Sequence, residues 1–333
     1  MIPKWLLTTL KTILVAVIVY FALRSLPLRA VDLVAFLKRA DYRFYLSMVL
    51  FAVFLMLQAS IWVLIVNTVH VKDVESDNRT KLGLLSGLRI FIDSQFAKYI
   101  PGGIWNYAGR VVLATRAGVS LAAQFAAILY ENILLVSAAL SYALLLAMDL
   151  GVTPSPILLS IMLAVAACGY VYYARMTSWI SRVVGGASRW KWMKKLLDRI
   201  TKSDEAVPNR DSAYTLTRNQ FFGYLACFLG SHFVMGIAFW MLTASFDAGH
   251  ISVLYAAGTF ATAWLLGLLS PLPGGLGLRE GFLVYFLSMK LGTSAALQIS
   301  IIARLWNMMA EVTFWALIQS VSRLARRVRG YES

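Results

Sequence analysis

The sequence predicts an all-α polytopic membrane protein, with about six spanning helices and two opposed re-entrant hairpins of broken helix set in an inverted-topology repeat. Three observations carry that prediction. The 333 residues are 59% hydrophobic and 14% charged, with mean hydropathy +0.70, an apolar excess that a soluble domain could not hide from water. Apolar runs of bilayer-spanning length, about 20 residues each, recur from end to end. Twice a Pro-Gly-Gly falls inside such sequence, in AKYIPGGIWNYAGR at 97–110 and LSPLPGGLGLREG at 269–281. Proline and glycine break helices, and a broken backbone survives at membrane depth only where protein or a water-filled cavity covers it.

The first apolar run, near 5–23, follows only Lys4 and lacks a small-residue cleavage motif before Arg24, which predicts a retained helix rather than a removed signal peptide. PLRAVDLVAFLKRA at 27–40 reads as an amphipathic helix on the membrane surface, with Val31, Val34, Ala35 and Leu37 as its apolar face. Further spans are predicted near 44–69, 119–149, 155–174, 219–246 and 294–321, and the segments 82–117 and 252–292 carry the two breaks. VVGGASRWKWMKKLLDRITK at 183–202 interleaves Lys191, Lys194, Lys195 and Arg199 with Trp190, Trp192, Met193, Leu196 and Leu197. That is the pattern of an interfacial helix against anionic lipid.

Charge distribution sets the orientation. Ten Lys or Arg fall between Arg175 and Arg218 and four between Arg323 and Arg329, whereas the loops 149–155 and 247–252 carry none. The excess of basic residues in cytoplasmic loops then places the 175–218 loop and both termini in the cytoplasm of a cell (inner) membrane. Arg24, Arg29, Lys38, Arg39 and Arg43 run against that bias on the outer side, offset by Asp32 and Asp41. With these sides fixed, 82–117 enters and leaves from the cytoplasm and 252–292 from the outside. The chain is read as one transmembrane domain with a first repeat at 44–149, the basic loop at 175–218 and a second, inverted repeat at 221–321. Trp62 aligns with Trp240; AGVS at 117–120 and LGTS at 291–294 each precede a helix carrying Asn132 or Asn307. Paired breaks in corresponding halves point to a transport site.

A half-helix that begins after Pro-Gly-Gly aims free N–H groups and a positive dipole end into the membrane, an arrangement that favours anions. The residues expected at the breaks are Pro101, Gly102 and Gly103 in the first and Pro273, Gly274, Gly275 and Gly277 in the second. Beside them lie Lys98, Asn106, Arg110, Arg279 and Glu280, with Arg304 in the last helix; these six are the candidate substrate-binding residues. The arginines either fork a phosphate or sit at the interface and snorkel. Asp93, Glu131 and Glu311 are membrane-embedded carboxylates, serving either as ion-pair partners or as proton carriers. His70, His232 and His250 lack metal-ligand spacing and are read as solvated or packed, and Cys168 and Cys227 as packing residues without a disulfide. No Walker loop, dinucleotide fingerprint or nucleophile elbow is present. No cofactor, metal, enzymatic activity or nucleic-acid partner is therefore expected.

PGGLGLREG at 273–281, with IPGG at 100–103 and the following Arg110 and Arg116, resembles the lysylphosphatidylglycerol synthase transmembrane, or flippase-like domain, family over nearly the whole chain. Carried over residue by residue, the motif points to Pro273, Gly274, Gly275, Gly277, Arg279 and Glu280, and to Pro101, Gly102, Gly103 and Arg110. Trp105 and Asn106 stand where many relatives have further glycines, and the chain resembles a subgroup often associated with glycosyltransferases and cell-envelope polysaccharide genes. The chain ends at Ser333, soon after its last helix, so the resemblance implies the translocation half without the soluble synthase domain.

The function expected is a flippase moving an anionic phospholipid or polyprenyl-phosphate-linked sugar between leaflets. Two alternatives stay open: a proton-coupled transporter of a small anion, and a membrane scaffold for a glycosyltransferase. Membrane lipids or a lipid-linked glycan are the expected partners, with a glycosyltransferase and a homodimer as further candidates.

Overall fold

Apolar runs without internal breakers form long helices because a helix satisfies every backbone group within its own segment. The computed structural model describes residues 36–71, 81–99, 104–152, 154–187, 214–270, 275 and 277–331. All regular structure among them is helical. Its elements are α1 (Tyr42–Val71), α2 (Leu84–Gln95), a 3₁₀ turn (Phe96–Tyr99), α3 (Trp105–Arg116), α4 (Leu121–Asp149), α5 (Ser155–Val171), α6 (Tyr173–Ala187), α7 (Arg218–Ala244), α8 (Val253–Gly267), α9 (Leu278–Leu291) and α10 (Thr293–Tyr331). The predicted first span at 5–23, most of the surface helix at 27–40 and the basic stretch beyond Ala187 lie outside the described residues.

Four helices, Tyr42–Val69, Leu121–Asp149, Arg218–Ala244 and Thr293–Ala325, are long and apolar enough to cross a bilayer. Their starts carry hydroxyl caps where the sequence supplies them. The Ala123 amide donates to Ser120 Oγ, and Thr217 forms a reciprocal capping box with Gln220. α5 covers most of the span expected at 155–174, and the chain then bends by 62° at Tyr172 into α6. The bend falls where the sequence turns from uniformly apolar to amphipathic. Beyond it Tyr173, Ile180 and Val184 are buried while Arg175 and Arg182 are exposed, and α6 packs on α4.

The two predicted breaks are present. The first interrupts the helix between the 3₁₀ turn and α3, the second between α8 and α9, with Pro101, Gly102, Gly103, Pro273 and Gly274 themselves outside the described residues. At 12, 12, 15 and 14 residues, the four arms are on the order of 18–22 Å long at 1.5 Å per residue, short of a hydrocarbon core of about 30 Å. α2 packs on α3, and α8 on α9, so each break is the tip of a helical hairpin.

α1 and α7 form the most extensive helix pair and hold the centre. Each hairpin packs on both halves of the chain. α2 lies on α1 and α10, α8 on α7 and α4; α1 in turn meets α10, and α7 meets α4. Exchanging first-half helices for their second-half counterparts returns the same set of neighbours. The wedge of α8 is set by small residues: a Cβ on Gly236 would stand 2.4 Å from that of Ala257, and one on Gly258 2.7 Å from the Tyr142 carbonyl oxygen. Where lipid replaces water outside, close backbone approach of this kind provides the packing energy. An aromatic cluster fills the middle, with Phe51 4.3 Å from Trp306 and Phe239 5.0 Å from Phe260.

The start of α1 and the ends of α4, α7 and α9 share one face of the bundle. Arg43 reaches Asp247 at 3.2 Å and Lys290 reaches Asp149 at 3.5 Å, while Gly249 abuts Leu291. Two sequence expectations are corrected here. Cys168 and Cys227 are exposed on the outside of the bundle rather than packed, since their helices present those positions outward. Trp62 and Trp240 align in sequence but not in environment. Trp62 is buried against Phe91 of the first hairpin, whereas Trp240 is at the surface and donates to the Ile251 carbonyl.

Candidate functional site

Helical spacing decides which side chains meet between the hairpins. In α10, Arg304, Asn307 and Glu311 lie three and four apart and share one face; in α3, Asn106 and Arg110 do the same. The 3₁₀ turn that ends the first arm presents Lys98 and Tyr99, and the first turn of α9 presents Arg279 and Glu280. These faces converge on a cavity of about 380 Å³ that α1, α4, α7 and α8 also line. All six candidate substrate-binding residues, Lys98, Asn106, Arg110, Arg279, Glu280 and Arg304, line it, as do Glu131 and Gly275. Asp93 does not. It sits on the other side of the hairpin, 3.7 Å from Arg89 and within reach of Gln319.

Three of the four cations are matched to carboxylates. Arg110 Nη1 lies 2.6 Å from Glu131 Oε2. The guanidinium is 2% exposed and centred 4.2 Å over Phe91 and 5.2 Å over Trp62. Lys98 pairs with Glu311, which is 1% exposed and also accepts from Tyr99 Oη at 3.0 Å and Asn307 Nδ2 at 3.3 Å. Arg304 Nη1 donates to Glu280 Oε1 at 2.9 Å. Arg279 is the exception. It is half-buried, its guanidinium stands 4.8 Å from the Phe260 ring, and no hydrogen bond or ion pair joins it to a described residue. Asn106 Oδ1 and the Nε atoms of Arg110 and Arg304 are buried and make no hydrogen bond to a described residue.

The second break is built by glycine. Gly275 has φ +78° and Gly277 φ +82°, a region that L side chains rarely adopt. A Cβ on Gly275 would come within 3.1 Å of the Gly267 carbonyl oxygen, so the hairpin closes backbone on backbone. One amide at the start of α9 is already taken. The Gly277 amide already donates to Glu280 Oε2 at 2.8 Å, and that carboxylate satisfies the dipole locally. Glu280 is thus a cap and the partner of Arg304. At α3 the cap residue Ile104 provides no side-chain bond.

A family model described as the lysylphosphatidylglycerol synthase TM region matches residues 8–313. The chain belongs to that family. No curated protein matches it. The lysylphosphatidylglycerol synthase TM region is the family's membrane portion rather than a catalytic domain, and membership makes this a membrane protein of the lipid and cell-envelope kind. Among the polar cavity residues, sequence reasoning missed Gln58, Gln95, Tyr99, Tyr107, His232, Ser270 and Asn307. Asn307 could have been found from its α10 spacing with Arg304 and Glu311. Gln58 and His232 carry no such signal, since no charged residue stands three or four positions from either in its helix.

Proposed function

We propose that this chain is a lipid flippase that moves an anionic phospholipid or a polyprenyl-phosphate-linked sugar between leaflets. The observation that carries the reading is Arg279, the cavity cation without a carboxylate. A half-buried guanidinium stacked on a ring, with unmatched donors, suits the oxygens of a phosphate. The cavity volume lies in the range of small-molecule sites, so the head group occupies it while the tails stay in lipid. With Glu131, Glu280 and Glu311 each committed to a cation, no carboxylate among the described cavity residues remains for the ammonium of an aminoacylated lipid. The shared neighbour pattern of the two halves supports an inverted duplication, 44–149 with 221–321, whose re-entrant hairpins open from opposite sides. In this reading the termini and the 175–218 loop are cytoplasmic in the cell inner membrane, and the chain is not an enzyme. Lipids are the partners it requires; neither a glycosyltransferase nor a second copy is needed.

The test is leaflet translocation in proteoliposomes, with fluorescent phosphatidylglycerol on one leaflet and a membrane-impermeant quencher outside. Wild type should exchange the lipid faster than empty vesicles. Arg279→Ala should lose about tenfold or more, the value of a charge-assisted hydrogen bond, and Arg279→Lys should recover part of it because the bidentate fork is absent. Equal rates for wild type and Arg279→Ala would refute the role of Arg279. Exchange of inorganic phosphate with no lipid movement would instead make the protein a carrier of soluble anions.

A further inference from the structure

The cavity has an uncharged side that anion binding leaves unused. Gln58 of α1 and His232 of α7 both line it, and both are anchored to one carbonyl. His232 Nδ1 lies 2.8 Å from the Phe228 carbonyl oxygen. A carbonyl only accepts, so Nδ1 carries the proton, and in the neutral ring Nε2 is an acceptor. The ring is clamped by Tyr142, stacked at 6.0 Å, and by Phe54, edge-on at 5.8 Å. Ser231 Oγ spends its hydrogen on the same Phe228 carbonyl at 2.8 Å, so it accepts from Gln58 Nε2 at 3.0 Å. That fixes the amide orientation and leaves Gln58 Oε1 as the free end. Neither His232 Nε2 nor Gln58 Oε1 bonds to a described residue.

Two preorganised neutral acceptors call for donors. Ammonium donors would enter a cavity whose carboxylates are all paired, at the cost of an uncompensated charge; hydroxyl donors carry no such cost. We propose that Gln58 and His232 form a hydroxyl-binding subsite, and that the lipid carried is a phosphodiester whose head group bears hydroxyls, as glycerol, inositol or a sugar does. The proposal rests on the anion reading above and names the head group it implies. Arg279 takes the phosphate, and the α1–α7 wall reads what is esterified to it.

The test titrates the purified full-length protein in detergent micelles with two lipids of equal single negative charge, following tryptophan fluorescence. Phosphatidylglycerol has head-group hydroxyls; phosphatidylethanol, the phosphodiester of ethanol, has none. Wild type should bind phosphatidylglycerol about tenfold more tightly, the yield of two neutral hydrogen bonds. His232→Phe, which keeps the ring stack, and Gln58→Met should each erode the preference several-fold by weakening phosphatidylglycerol alone. Unchanged affinity for phosphatidylethanol shows that each variant is folded. Arg279→Ala should weaken both lipids and keep their ratio. Equal wild-type affinities, or a preference that survives both wall substitutions, would overturn the subsite alone. Binding of neither lipid above phosphatidylcholine would overturn the anion reading and the subsite together.

Discussion

Removing one member of the Arg110–Glu131 pair should cost far more than removing both. The guanidinium is 2% exposed and the carboxylate 5%, they meet at 2.6 Å, and Arg110 is stacked on Phe91. Glu131→Gln leaves a buried cation without its counter-charge, and Arg110→Met leaves a buried carboxylate; either costs about 3–5 kcal/mol. Unfolding entropy of about 2.1 cal/mol/K per residue over 333 residues converts 1 kcal/mol to roughly 1.4 °C, so each single variant should melt about 4–7 °C lower. The double variant Arg110→Met/Glu131→Gln buries no charge, and methionine fills most of the arginine stem's volume. It should regain all but about 1–2 °C, the residue being the lost ring stack. The assay is thermal unfolding of detergent-purified protein at one scan rate, because irreversible unfolding makes the midpoint rate-dependent. A Glu131→Gln variant as stable as wild type would refute the pairing argument. Translocation then separates structure from ligand binding: activity retained in the double variant makes Arg110 a scaffold residue, and activity lost there makes it a phosphate contact as well.

Two further outcomes are expected. Gly275→Ala should destabilise by about 1–3 kcal/mol, because the new Cβ meets the Gly267 carbonyl oxygen at 3.1 Å with φ at +78°; Gly223→Ala, where nothing lies within 4 Å of the added carbon, should leave the melting point within about 1 °C and serves as the control. A single cysteine at Ser203, in a background with Cys168 and Cys227 replaced by serine, should react with an impermeant maleimide only from the cytoplasmic side; labelling only from the opposite face would invert the orientation and the direction of both hairpins.

Pattern in the sequence was sufficient to find the hairpin tips. Pro-Gly-Gly in apolar sequence has one physical meaning, and the ranges 97–110 and 269–281 do end and restart helices. It was also sufficient to collect the charged residues, because a charge kept inside membrane-grade sequence must face a partner or a cavity; Lys98, Arg110, Arg279 and Arg304 do line one. The pairings were not legible. Arg110 and Glu131 are 21 positions apart, Arg304 and Glu280 24, and Lys98 and Glu311 213, and periodicity along one helix does not say which neighbour faces it. For the same reason the motif did not show that Glu280 caps its own helix and pairs with Arg304, nor that His232, packed between Tyr142 and Phe54, also borders the cavity.

By itself, then, the sequence determined the class of the protein, the positions of its breaks and the inventory of its membrane charges, since each follows from the cost of placing a peptide group or an ion in hydrocarbon. Tertiary structure alone decided the rest. Two hairpins and four long helices bring distant residues within bonding distance, matching three cations with three carboxylates and leaving Arg279 over, and they turn Gln58 and His232 inward. Which charge remains unpaired is a property of the assembled cavity, because neutralisation depends on distances of about 3 Å that no single segment contains.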